Sequence, residues 1–254
     1  MMKLITLNCQ RAYRKKSISK YLQSVIEKTE HDFICLQEVN SEMRAILKQL
    51  IQSSKKYQLL DSKDVQNGKI TESAIIYLNK YKIRDQGVLS FLKKQHKDSK
   101  AHGLLYGVFK YKDKTFWIGS IHLPAGIKIF QRIKALKNTM VLLRTLEEIK
   151  STIKIIGGDF NTGWFEDILF QDKILKPEFK RFSDYQSGSF SSKYLEDTSL
   201  MYKIYGYLGK LNIYVSFKTD KFYIDLNSYG QYKTKVKNID VVVSDHRPIE
   251  LILK

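Results

Sequence analysis

Cysteine and proline are nearly missing from this chain, 2 and 3 of 254 residues. Cys9 and Cys35 both fall in apolar, strand-like runs without ligand-like spacing, which excludes a disulfide framework and a cysteine zinc site and points to a reducing, cytoplasmic setting. With so little proline, no Ser-rich tract, no low-complexity run and no internal repeat, nothing marks a linker, and residues 1–254 are expected to form one domain. No apolar run reaches membrane-spanning length. The opening "MMKLITLNC" is too briefly apolar for a signal peptide and leads straight into polar "QRAYRKKS". Acidic residues are also scarce, 26 Asp plus Glu against 44 Lys plus Arg, a net charge of +18. An excess of that size favours polyanionic partners, nucleic acid or an anionic membrane face.

What is abundant is short apolar runs. Ile-, Val-, Phe- and Tyr-rich segments at 3–9, 32–37, 57–61, 73–79, 104–111, 115–122, 153–158, 211–217, 234–243 and 248–253 have strand character. Helical spacing is confined to 17–29, 41–53 and 128–150, where Ile129, Ile133, Leu136, Met140, Leu143, Leu146 and Ile149 recur as one face. Strands far outnumber helices. That ratio predicts an α/β fold of two packed sheets with helices outside, rather than a strictly parallel doubly wound sheet.

The polar residues that interrupt this pattern share a position. Asn8 closes the first strand, Glu38 the second, His122 ends "FWIGSIHLP", Asp159 and Asn161 follow "IKIIGG", and Asp245 and His246 follow "VVVS". Taken singly, an Asx residue at a strand end is a turn former and a histidine is a half-buried core residue. Taken together, they would meet in one cleft if the strand ends converge on one sheet edge.

The ordered set "LN", "LQEV", "IHLP", "GDFN" and "SDHRP" resembles the endonuclease/exonuclease/phosphatase superfamily over residues 5 to 253. The resemblance implies a four-layer α-β-β-α sandwich with two mainly antiparallel sheets face to face. It also implies hydrolysis of a phosphoester with Mg²⁺, or Mn²⁺ in its place. By that resemblance Glu38 is the metal ligand, with Asn8 and Asp245 completing or orienting its shell. Asp159 would hold the attacking water, Asn161 would bind the phosphate or fix Asp159, and His246 and His122 would form an acid/base pair. Glu72, at the start of "TESAIIYL", would orient His122.

One departure from the family pattern concerns the support of His246. Members carry an aspartate roughly 25 to 40 residues before the final Asp-His, where it holds that histidine's ring. The nearest motif match, "GKLNIYVSF", puts Asn212 there, with Asp225 of "FYIDLNSYG" as second choice; Asp240 is expected toward the other end of the sheet.

Substrate is less constrained. "QRAYRKKSISK" follows Asn8 directly, so Arg11, Arg14, Lys15 and Lys16 are candidates for phosphate binding at the cleft. A second basic run covers 93–102, and tyrosines alternate with lysines between Tyr185 and Tyr232, a pattern compatible with stacking on single strands. Two readings follow. The first is a monomeric nuclease acting on nucleic acid, DNA above all. The alternative is a phosphoinositide or sphingolipid phosphoesterase working on anionic lipid head groups.

Overall fold

A computed structural model of the chain describes residues 1–10, 14–65, 71–91, 102–125, 128–145, 152–162, 167–175, 178–182, 190–191, 216–217, 220–225, 230–239, 241, 243–244 and 246–254. Two six-stranded sheets carry the architecture. The first contains β1 (Met2–Asn8), β2 (Phe33–Gln37), β3 (Tyr57–Asp61), β4 (Ser73–Leu78), β13 (Thr234–Asn238) and β14 (Ile249–Leu253), in the order β13-β14-β1-β2-β4-β3. The second contains β5 (Lys82–Ser90), β6 (Gly103–Tyr111), β7 (Lys114–His122), β8 (Thr152–Asp159), β9 (Phe179–Phe182) and β12 (Asp220–Asp225), in the order β5-β6-β7-β8-β12-β9. Among the described residues each sheet holds a single parallel pair, β1 with β2 and β7 with β8, and its other pairs are antiparallel. A short ladder joins β10 (Phe190–Ser191) to β11 (Ser216–Phe217).

Alternation along the central strands builds three apolar layers. Leu4, Phe33, Cys35, Ile75, Phe109, Ile118, Ile155 and Leu251 meet between the sheets. Their neighbours Ile5, Leu7, Ile34, Leu36 and Ile76 point the other way, against α1 (Lys15–Lys28) and α2 (Ser41–Ser54). On the second sheet Leu104, Trp117, Ile121, Ile156 and Tyr223 face α3 (Ile129–Thr145). With period-2 side chains buried on both faces, a strand reads as a continuous apolar run, which is why these strands were legible. The result is the expected four-layer α-β-β-α sandwich.

Some elements differ from the sequence reading. β5 was missed because its pattern is half exposed throughout, without a buried face, and β12 because it is short and bounded by charge. The strand expected over 234–243 stops at Asn238; of 211–217, only 216–217 fall in the described residues. In α3 the buried face is Arg132, Ala135, Leu136, Thr139, Met140 and Leu143. Ile129 is exposed, and the guanidinium of Arg132 takes an inward place by donating to the Pro124 carbonyl at 2.9 Å. Leu146 and Ile149 lie outside the described residues.

A buried ion pair fixes the outer face of the first sheet. Glu250 of β14 lies 2.6 Å from His31 Nε2 and 3.0 Å from Lys237 Nζ of β13. Burial pushes the Glu250 carboxyl up, but His31 and Lys237 together outweigh it and bring it down to about 2, from an ordinary 4.5. A depressed carboxylate stabilises the fold above its unfolded value and loses that contribution as pH falls through its folded one. Urea unfolding followed between about pH 5 and pH 2 should therefore show wild type losing on the order of 1–3 kcal/mol more than Glu250→Gln loses. Equal losses in the two proteins would remove this pair from the acid response.

Candidate active site

The parallel pairs deliver their C-terminal ends to the same pole of the sandwich. Asn8 ends β1, Glu38 follows β2, His122 ends β7 and Asp159 ends β8. Asp220 begins β12, antiparallel to β8, and is the register partner of Asp159. His246 precedes β14. All six side chains belong to buried residues.

The geometry links the two sheets. Asn8 Nδ2 donates to Glu38 Oε1 at 3.2 Å and to Asp159 Oδ2 at 3.0 Å, while Asn8 Oδ1 accepts the Gln10 amide at 2.9 Å. Asn8 therefore bridges the two carboxylates as a donor through Nδ2. His122 Nε2 stands 3.6 Å from Glu38 Oε1 and 3.9 Å from Asp159 Oδ2. His246 Nε2 stands 3.8 Å from Asp159 Oδ2, and its Nδ1 meets Asp220 Oδ2 at 2.6 Å. Asp159, Asp220 and His246 each offer a donor atom within 4.8 Å of the others. Burial raises the Asp159 carboxyl above its ordinary range; His246, His122 and the Asn161 amide oppose that, and Asp220 reinforces it.

Local backbone conformation sets these positions. Gln10, Glu38 and Asn161 adopt left-handed φ values of 46°, 55° and 48°, uncommon for residues with a Cβ and concentrated where side chains must be aimed. Asn40 caps α2 by accepting the Met43 amide at 2.9 Å, so the chain turns sharply between Glu38 and the helix. The "GGD" of β8 has a steric cause: a Cβ on Gly158 would lie 2.0 Å from the Ile121 carbonyl oxygen, so only glycine lets Asp159 approach His122. Beyond it, the Asn161 amide donates to Asp159 Oδ1 at 2.9 Å and its Nδ2 to the Leu123 carbonyl at 2.7 Å. Asn161 thus fixes Asp159 and ties together the exits of β7 and β8. Ser244 Oγ accepts the His246 amide at 2.9 Å and lies 3.0 Å from the Asn8 carbonyl, anchoring the histidine loop to β1. Beneath the cleft, Gln37 Nε2 donates to Ser120 Oγ at 2.9 Å and Thr6 Oγ1 at 3.2 Å, a polar floor across both sheets.

The support of His246 is a correction. Among the described residues the partner of its Nδ1 is Asp220, not the second-choice Asp225. Asp225 sits at the far end of β12 and accepts the Lys154 amide at 2.8 Å; Asn212 and Asp240 lie outside the described residues. A carboxylate rather than an amide holds the ring, so a negative charge is available to stabilise imidazolium. The sequence does contain a signal: Asp220 precedes His246 by 26 residues, inside the expected interval, but "DKFYID" lacks the motif that "KLNIY" carries. His102 was also passed over. Its buried ring lies 4.4 Å from that of His122, centroid to centroid, because Gly103 and His122 are register partners.

Other expected residues divide. Glu72 precedes β4, and its backbone carbonyl accepts the Val39 amide at 2.9 Å. Arg14 is the N-cap residue of α1, Lys16 is exposed, and Lys15 pairs with Glu42 of α2 at 2.6 Å. Arg11, Asp245 and 92–101 fall outside the described residues.

No family profile matches the chain, and no curated protein matches it by sequence. Its fold has clear relatives among solved structures. D. rerio TDP2 complexed with a single-strand DNA product superposes with a TM-score of 0.71 at 14% identity, covering 100% of this chain and 98% of that one. A Bacteroides thetaiotaomicron mannosyl-6-phosphatase gives 0.69 at 15% identity, with 100% of both chains covered. An endonuclease/exonuclease/phosphatase family protein from the same organism gives 0.65 at 14%, covering 99% and 97%. The chain has the endonuclease/exonuclease/phosphatase fold.

The 2.6 Å contact between His246 and Asp220 has a spectroscopic consequence. Its Nδ1 proton should resonate far downfield in the ¹H spectrum of ¹⁵N-histidine protein. Asp220→Asn should remove or strongly shift that signal, and Asp225→Asn should leave it in place; the opposite pattern would reassign the partner.

Proposed function

We propose that the protein is a metal-dependent phosphoesterase, and within that class a nuclease hydrolysing phosphodiester bonds of DNA. The observation that carries this reading is the meeting of Glu38, Asn8, Asp159, Asp220, His122 and His246 at one pole, each from a different strand end.

The donor set fits a hard divalent cation. Glu38 and Asp159 are buried carboxylates sharing one amide donor, an arrangement of like charges that a cation would relieve, and carboxylate oxygen is what Mg²⁺ prefers. Glu38 would hold the ion, with Asp245 as the further candidate from the sequence, and Mn²⁺ would serve in place of Mg²⁺. Bound there, the ion supplies Lewis acidity toward phosphoryl and leaving-group oxygens.

The chain's own groups account for the rest. Asp159, its Oδ1 held by the Asn161 amide and its Oδ2 by Asn8, accepts a proton from water and orients it for attack. Asp220 keeps the proton of His246 on Nδ1, which turns Nε2 toward Asp159 and the phosphate. His122 completes the acid/base pair from the second sheet's side. DNA as substrate is supported by the +18 net charge, by Arg14 and Lys16 at the start of α1, the helix that follows β1 in sequence, and by the fold shared with TDP2, solved with a single-strand DNA product. The two buried, free thiols fit a cytoplasmic setting.

The test is cleavage of supercoiled plasmid and short single-stranded DNA in Mg²⁺, in Mn²⁺ and in chelator. Cleavage should require the metal, and His246→Ala and Asp220→Asn should each lower kcat roughly 10²–10⁴-fold. Metal-dependent hydrolysis of phosphoinositide or sphingomyelin vesicles, or of mannose 6-phosphate, with DNA left intact would move the substrate while keeping the chemistry. Undiminished DNA cleavage by His246→Ala would overturn the site.

A further inference from the structure

The pole opposite the cleft carries a second concentration of chemistry. There the N-terminal end of β1, the C-terminal ends of β4, β6 and β14 and the start of β7 surround a cavity of about 330 Å³. Six residues of strand separate Met2 from Asn8, so the cavity lies roughly 20 Å from the cleft. Its floor is apolar, formed by Met2, Phe116, Ile153 and Leu253. Its rim is cationic, with Lys80, Lys112, Lys114 and Lys254 beside Asp113, and with Asp32 behind Lys80.

These lysines are held in place rather than dispersed in solvent. Lys80 Nζ lies 5.1 Å from the centre of the Tyr81 ring and 5.2 Å from that of Tyr111. Lys112 Nζ lies 5.5 Å from the Tyr111 ring and Lys114 Nζ 5.3 Å from the Tyr232 ring. Cation–π attraction of this kind gathers ammonium groups that would otherwise repel one another. Lys114 also donates to Tyr232 Oη at 3.0 Å, and Lys80 pairs with Asp32 at 2.7 Å. An ammonium has three donors, so both keep N–H groups for a ligand. The lysines are exposed at their heads, while the aromatic and aliphatic floor beneath them is mostly buried.

An apolar floor under a converging cationic rim suits a ligand with a flat ring at one end and a multivalent anion at the other. We propose that this pole binds a nucleotide, its base on the floor and its phosphate among Lys80, Lys112 and Lys114, either free or as part of a nucleic-acid strand. Aromatic and apolar surface for bases combined with lysines for phosphate is the general chemistry of sequence-tolerant nucleotide binding, and the cavity is of ligand-binding size. The inference concerns binding alone and does not rest on the hydrolytic reading.

The experiment records ¹H–¹³C spectra of the tyrosine rings while His246→Ala protein in chelator is titrated with adenosine monophosphate, with an unlabelled pentanucleotide and with inorganic phosphate, the nucleotides being checked for integrity afterwards. Adenosine monophosphate should shift the Tyr81, Tyr111 and Tyr232 rings, and phosphate alone should do so at least about tenfold more weakly. Tighter binding of the pentanucleotide than of the mononucleotide would identify a strand as the source, and equal binding a free nucleotide. Lys112→Glu with Lys114→Glu, both on the exposed rim, should weaken the response at least tenfold. For the strand, it should also reduce the slope of log K against log salt by roughly 1–2. Rings that stay unmoved by both nucleotides, that move only with an anionic detergent such as dodecyl phosphate, or that respond equally after charge reversal would overturn the assignment.

Discussion

Two carboxylates face each other across neighbouring strands: Asp159 and Asp220 are register partners on β8 and β12, both buried. Like charges directly opposite are destabilising, and burial removes the water that would screen them. The arrangement persists because one imidazole reaches both, His246 meeting Asp220 at 2.6 Å through Nδ1 and standing 3.8 Å from Asp159 through Nε2. On the far side of Asp159, the Asn8 amide performs the same service toward Glu38. The site is thus a chain of anions separated by donors, and the loops around it hold those donors in register.

The sandwich supplies what such a chain needs. Acidic side chains from one sheet would lie along a strand at 3.3 Å per residue and alternate faces. Two sheets packed face to face, each with one parallel pair, instead bring strand ends together from both sides. Glycine at 158 lets β7 and β8 approach closely at the crucial point, and Ser244 ties the histidine loop back to β1. Gln37, Thr6 and Ser120 keep the floor polar but satisfied, so carboxylates above it are not placed on bare hydrocarbon.

The two poles divide the chemistry by charge. One gathers carboxylates and imidazoles, the other lysines over tyrosine rings. The opposite signs arise from the same strands, since each central strand has one end at each pole. A chain with a net charge of +18 can keep an anionic cluster at its centre of chemistry because the cations are carried elsewhere on the surface, where solvent screens their mutual repulsion.

The amino-acid sequence by itself determined the layers and most of the residues at the cleft. Apolar runs buried on both faces are visible as composition, and a polar residue ending each of them stands out against that background. Asn8, Glu38, His122, Asp159 and His246 were therefore legible one strand at a time. Tertiary structure alone decided what pairs with what. Asp220 became the partner of His246 through the antiparallel register of β12 on β8, and His102 met His122 through that of β6 on β7. The lysines at 80, 112 and 114 joined because turns far apart in sequence share one pole. Register is set by which faces can be buried together, and that depends on the partner strand, information that no single stretch of sequence contains.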